Sequence, residues 1–90
     1  MPYFVYILAN IKNDKILTYV GYTSDLKNRI KLHNSSRGAR FTKGKKWILV
    51  FKKKYNNKII AMKEEYRIKK NKVFRKKIRL RIKKNILNRI

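Results

Sequence analysis

The chain has 90 residues, 43% of them apolar, and its 27 Lys and Arg stand against four Asp and Glu, a formal net charge of +23. That length admits one thin hydrophobic core, and the absence of cysteine excludes disulfides, thiolate metal sites and a Cys nucleophile. Internal ion pairing cannot absorb so many cations, so most lie solvated and attract polyanions, nucleic acid ahead of an anionic membrane.

Residues 3–9 (YFVYILA) are β-branched and aromatic and predict a strand. Asn13-Asp14 mark a turn and 16–22 (ILTYVGY) predict a second strand, so an antiparallel hairpin is the default. Thr23, Ser24 and Asp25 offer an N-cap to a helix over 25–34. From Asn34 to Lys46 the chain is loose, with Ser35, Ser36, Gly38 and Gly44 interleaved among cations. A strand is predicted at 47–52 (WILVFK), a turn at Asn56-Asn57, a helix over 58–70 and a break at Asn71. The last helix, over 72–88, is apolar at Phe74, Ile78, Ile82 and Ile86 and strongly basic on its other face. The order is β-β-α-β-α-α: an α+β fold, a three-stranded antiparallel sheet flanked by helices, in a single domain over 1–90. No apolar run approaches the roughly 18 residues of a spanning helix, and the N-terminus has no signal-peptide pattern. The expectation is a cytoplasmic protein, monomeric by default and free of membrane contact.

Three sets of residues carry chemistry. Glu65 falls between Ala61 and Ile68 on the apolar face of its helix, while Glu64 falls to one side. A carboxylate aimed at the core is costly unless paired, so Glu65 is either an ion-pair partner of a Lys or Arg or a ligand for a divalent cation. Arg29 and His33 lie one turn apart and flank the apolar stripe of Leu26 and Ile30. Arg29 reads equally as a surface cation and His33 as a helix C-terminal capper; together they present a guanidinium and a titratable imidazole on one edge. In the hairpin, alternation puts Tyr6 on a face with Phe4 and Leu8, and Tyr19 on a face with Leu17 and Gly21. If those faces coincide, Tyr6 and Tyr19 meet across the pair, as packing or as part of a site. Gly21 weakens a strand unless something approaches its backbone, a phosphate being one candidate.

Val5-Tyr6, Tyr19-Val20-Gly21-Tyr22-Thr23, Arg29 with His33-Asn34, Gly38-Ala39-Arg40-Phe41-Thr42 and Glu65-Tyr66-Arg67-Ile68-Lys69 occur in that order. The set, over about residues 3–80, resembles the small stand-alone bacterial branch of the GIY-YIG nuclease superfamily. The resemblance implies a metal-dependent endonuclease acting on DNA, branched or single-stranded forms included. It implies that Tyr6 and Tyr19 line the site, one of them positioning or deprotonating the attacking water. Arg29 would stabilise the scissile phosphate, Glu65 would hold one Mg²⁺ or Mn²⁺, and His33 would assist proton transfer. A free tyrosine titrates near about 10 and needs positive charge nearby to favour its phenolate; Arg29, the metal and the basic field would supply it.

The first motif departs from the family, reading Phe4-Val5-Tyr6 rather than Gly-Ile-Tyr, but keeps the tyrosine. For a late asparagine, Asn71 and Asn85 are candidates at no matching spacing. DNA contacts fall to Gly21 and to loop 35–46, through Arg37, Arg40, Lys43, Lys45 and Lys46, with Phe41 stacking on a base or anchoring the loop. Lys12 or Lys15 is a further candidate. The alternative is a non-catalytic basic nucleic-acid-binding protein, which gives no reason for Glu65 on an apolar face.

Overall fold

The computed structural model describes residues 2–13 and 15–87, so Asp14 of the expected turn and Asn88 of the expected last helix lie outside it. Strand β1 (Tyr3–Lys12) runs up the centre of an antiparallel sheet of order β2-β1-β3, between β2 (Lys15–Thr23) and β3 (Ile48–Tyr55). Helix α1 (Leu26–Asn34) follows β2, a 3₁₀ turn (Arg40–Thr42) interrupts the basic loop, and α2 (Lys58–Lys70) and α3 (Lys72–Leu87) follow β3. The element order matches the one read from sequence. No helix among the described residues is long and apolar enough to cross a membrane.

Val5 to Ala9 are buried without interruption because both faces of β1 are covered. Val5 and Ile7 face α2 and α3, packing with Val20, Ala61 and Ile68 and with Phe74 and Ile78. Tyr6 and Leu8 face the other way, onto Trp47, Tyr19, Leu26 and Ile30. Burying each such aliphatic side chain contributes roughly 1.5–3 kcal/mol, so β1 is the spine of the fold. The hairpin register pairs Tyr6 with Gly21 and Leu8 with Tyr19, and the two expected faces coincide. The ladder runs to Lys12 opposite Lys15, and Asn13 at the tip has φ 56°, the left-handed conformation a tight turn uses.

β3 starts one residue later than predicted and continues through Lys52, Lys53 and Lys54 to Tyr55, beyond the expected end at residue 52. It is an edge strand whose lysines stay in solvent, so charge does not terminate it. A shift in register between Ile7 and Leu8 leaves Val50 as an extra residue of β3, and Val50 and Phe51 both pack on the α2–α3 side.

Asparagine fixes both long helices. The Asn57 side chain accepts from Ile60 N–H (2.9 Å) at the start of α2. Asn71 ends α2 by donating its own N–H to Ile68 O (3.1 Å) and caps α3 by accepting from Phe74 N–H (3.0 Å). Asn71 is thus committed to the helix junction, and Asn85 lines a groove with Phe51, Phe74 and Ile78.

Candidate active site

Val20 to Thr23, on the open edge of the sheet, form the floor of a cleft of about 370 Å³. Tyr6 reaches it from β1, Tyr19 from β2, Arg29 from α1, and Glu65, Lys58 and Lys69 from α2. Because β2 is an edge strand, side chains from both faces of the sheet meet there. Tyr6, Tyr19, Arg29 and Glu65, far apart in sequence, therefore open into one cavity, while His33, the other expected site residue, does not line it.

Tyr6 is only 1% exposed and forms its inner wall. A Cβ on Gly21 would stand 2.6 Å from Cζ of Tyr6, so the missing side chain makes room for the phenol ring. The close approach that the sequence suggested for a phosphate at Gly21 is made by Tyr6.

The Tyr6 hydroxyl is 2.9 Å from Nε2 of His33, whose Nδ1 is 2.8 Å from Oγ1 of Thr42. His33 is fully buried, a member of this chain of groups rather than an exposed capper. Oγ1 of Thr42 also lies 2.9 Å from Ala39 O and accepts from Ala39 N–H (3.2 Å). With the Thr42 hydroxyl proton on Ala39 O, Nδ1 of His33 donates to Thr42 and Nε2 accepts from the Tyr6 O–H; with it turned to Nδ1 the two ring nitrogens exchange roles. Gly38 lies flat on the imidazole, where a Cβ would come within 2.8 Å of Cγ.

Burial pushes the Tyr6 phenol up to about 12, helped by Tyr19 and Glu65, while Arg29 pulls it back through a hydrogen bond and its charge. Arg29 acts in the expected direction, favouring the phenolate, but desolvation outweighs it. Burial, and then the Arg29 charge, hold His33 below its ordinary value. At neutral pH the pair is a neutral phenol donating to a neutral imidazole.

Tyr19 stands between this pair and the loop. Its ring centroid is 4.9 Å from His33 and 6.3 Å from Phe41, nearly parallel to the latter at 20°. Phe41 also packs on Trp47 (5.9 Å) yet is 50% exposed, so it anchors the loop and keeps a free surface. Trp47 N–H donates to Oδ1 of Asn34 (2.6 Å), Asn34 Nδ2–H returns to Trp47 O (3.1 Å), and the indole N–H donates to Thr42 O (2.9 Å). These bonds lock the loop beneath His33.

On α2, Ala61 and Ile68 are the buried residues, and Glu65 lies between them with its side chain 14% exposed, bonded to Lys69 at 2.9 Å. Glu64 pairs instead with Arg67 at 2.7 Å on the outer surface. Glu65 thus has the ion-pair partner that its position required and still faces the cleft. No cluster of three or more His, Cys, Asp or Glu exists among the described residues. A single carboxylate fits a hard divalent cation of the Mg²⁺ kind, which keeps most of its waters and takes further oxygens from a substrate phosphate.

Of the expected DNA contacts, Arg37, Arg40 and Lys43 are exposed on the loop and do not line the cleft; Lys45 and Lys46 line a separate groove. Thr42, Asn34 and Trp47 have no role that the sequence indicates, although Asn34 and Thr42 fall in the two motifs around His33 and Phe41; Gly38, a loop glycine expected to let DNA approach closely, is instead packed on His33.

A family model described as the GIY-YIG catalytic domain matches residues 2–79. A UPF0213 protein of Oceanobacillus iheyensis is 43% identical over 68 residues, 74% of this chain and 76% of that protein. The UPF0213 protein YazA of Bacillus subtilis is 43% identical over 53 residues, which span 58% of this chain and about half (54%) of that protein. The solution structure of a UPF0213 protein from Bacillus halodurans is 34% identical, covers 92% of this chain and 86% of its own, and superposes with a TM-score of 0.48.

Proposed function

The chain belongs to the GIY-YIG nuclease family, and we propose that it is a metal-dependent endonuclease that hydrolyses phosphodiester bonds in DNA, with Tyr6, Tyr19, Arg29 and His33 as catalytic residues and Glu65 as the metal ligand. The observation that carries the reading is the convergence of Tyr6, Tyr19, Arg29 and Glu65, from four different elements, on one cleft. One chain working as a monomer in the cytoplasm is the simplest form of this reading.

In this mechanism Tyr6 is the residue beside the attacking water, because it alone of the two tyrosines has a proton acceptor behind it. Water gives a proton to the Tyr6 oxygen as the Tyr6 proton passes to Nε2 of His33. The hydroxide oxygen bonds to phosphorus, and the P–O bond to the leaving oxygen breaks. Passing the proton through in one movement avoids a free phenolate, which a phenol near 12 would not supply at neutral pH. Arg29 clamps the phosphate, a planar fork that lysine cannot reproduce. Tyr19 lines the cleft and holds the His33 ring from the side. Glu65 would hold Mg²⁺ or Mn²⁺, which when bound would supply charge neutralisation at the phosphate and the leaving oxygen.

The test is nicking of plasmid and branched DNA in Mg²⁺, in Mn²⁺ and in EDTA. Metal-dependent cleavage is expected, falling at least about a hundredfold in Arg29→Ala, the size of a lost transition-state donor, and lost also in Glu65→Ala. Binding without cleavage under every metal condition would establish the non-catalytic binder instead.

A further inference from the structure

Outside the cleft, the tip of the β1–β2 hairpin and the loop leading into β3 enclose a groove of about 900 Å³. Lys12, Lys15, Lys45 and Lys46 line it, and Leu17, on the face of the hairpin that it shares with Asn10, gives it an apolar floor. Asn10 Nδ2–H donates to Lys46 O (2.9 Å) and ties one wall to the other. No carboxylate lines it among the described residues.

We propose that this groove binds an unpaired nucleic-acid strand leading to the cleft. The proposal rests on the endonuclease reading for what happens to the strand in the cleft, but not for its binding in the groove. Three observations combine. The first is composition: a duplex offers phosphates to lysines but keeps its base faces stacked away, so it leaves an apolar floor unused. Leu17 is 38% exposed, open to the faces of unpaired bases. The second is Phe41, half-exposed beside the groove, backed by Tyr19 on one side and with the Lys45 ammonium 5.8 Å from its ring centre. An exposed aromatic with a cation beside it is the platform on which unpaired bases stack while their phosphates are neutralised. The third is continuity. Leu17 of the groove and Tyr19 and Gly21 of the cleft share one face of β2, and the four residue steps from Leu17 to Gly21 span about 13 Å at about 3.3 Å each. A strand lying along this face passes Phe41 on its way from the groove to Tyr6 and Arg29.

Fluorescence anisotropy in EDTA tests this without any cleavage. The probes are a blunt duplex, the same duplex with a single-stranded extension, and a free strand of DNA and one of RNA of the same sequence, the last two showing which sugar is preferred. The extension is expected to tighten binding about tenfold at fixed salt. Phe41→Ala should remove about that factor, the size of one base–aromatic stack, and leave the blunt duplex unaffected. Phe41→Leu keeps the loop packed on Trp47 while losing the flat ring, and should show the same selective loss if the platform is real. Lys45→Gln with Lys46→Gln should likewise weaken the extended form more than the blunt one. An extension that adds nothing, or variants that weaken both forms equally, would overturn the proposal. A protein that never cleaves but shows the selective loss would refute the nuclease reading and leave the groove assigned.

Discussion

Thr42 sits one bond further from the cleft than any residue assigned to catalysis, yet its hydroxyl is the partner of the His33 nitrogen turned away from Tyr6, and donating by that Nδ1–H leaves Nε2 free to accept from Tyr6. Valine has nearly the same shape and lacks that oxygen. Thr42→Val would leave a buried imidazole N–H without a partner, a cost of about 1–3 kcal/mol, and would free the ring to invert its tautomer. A proton relay contributes about 10²–10⁴-fold to rate, so kcat should fall at least about tenfold with KM little changed, whereas Thr42→Ser should stay near wild type. Equal activity of the valine and serine variants would show that the tautomer is immaterial. His33 is the only histidine in the chain, so its titration by NMR is unambiguous. Its folded value lies below the ordinary 6.5, and the unfolded chain therefore binds more protons between the two. Stability should be complete above about 6.5 and fall as the pH drops from there through the folded value. A titration midpoint at or above 6.5 would contradict the neutral, buried imidazole. At this scale the sequence pointed to Tyr6, Tyr19, Arg29 and Glu65, but not to what stands behind them. Spacing can put Arg29 and His33 on one helical edge; it cannot show that Gly21 and Gly38 are absent side chains whose space two rings fill.

Among the elements, composition, caps and periodicity placed all three helices and both hairpin strands; β1, covered on both faces, reads as a continuous apolar run rather than an alternating one. They misjudged β3, where Lys52–Lys54 resemble the end of a strand; only the knowledge that β3 is an edge explains why the ladder continues to Tyr55. The bulge at Val50 is equally invisible in sequence, since it depends on which residues of β1 lie opposite. Asn71 was legible as a break, and the structure shows that one side chain serves two helices. Replacing it with alanine removes the cap of α3, a loss of about 1 kcal/mol. For a domain of this size that lowers Tm by about 4–8 °C, readable by circular dichroism. Cleavage of DNA below the transition should be retained, because Asn71 does not line the cleft. Loss of activity at unchanged Tm would instead restore Asn71 to the site.

For the whole molecule, a formal charge of +23 spread over 90 residues sets a field that no single contact controls. The acidic side chains within the described residues do little to offset it: Glu64 and Glu65 are engaged with Arg67 and Lys69 along α2, and Asp25 caps α1. Capture of DNA should therefore be dominated by release of counterions from its phosphates. The logarithm of the binding constant falls with the logarithm of salt by about 0.9 per phosphate contact on duplex DNA and about 0.7 on a single strand. A protein using six or more cations should lose roughly a thousandfold in affinity or more between about 50 and 200 mM salt. Arg29→Lys should leave this slope unchanged, since the charge remains, while lowering the cleavage rate because the fork is gone. The two measurements separate what the whole surface does from what the cleft does. A flat slope would mean that capture does not rest on the cations of the surface.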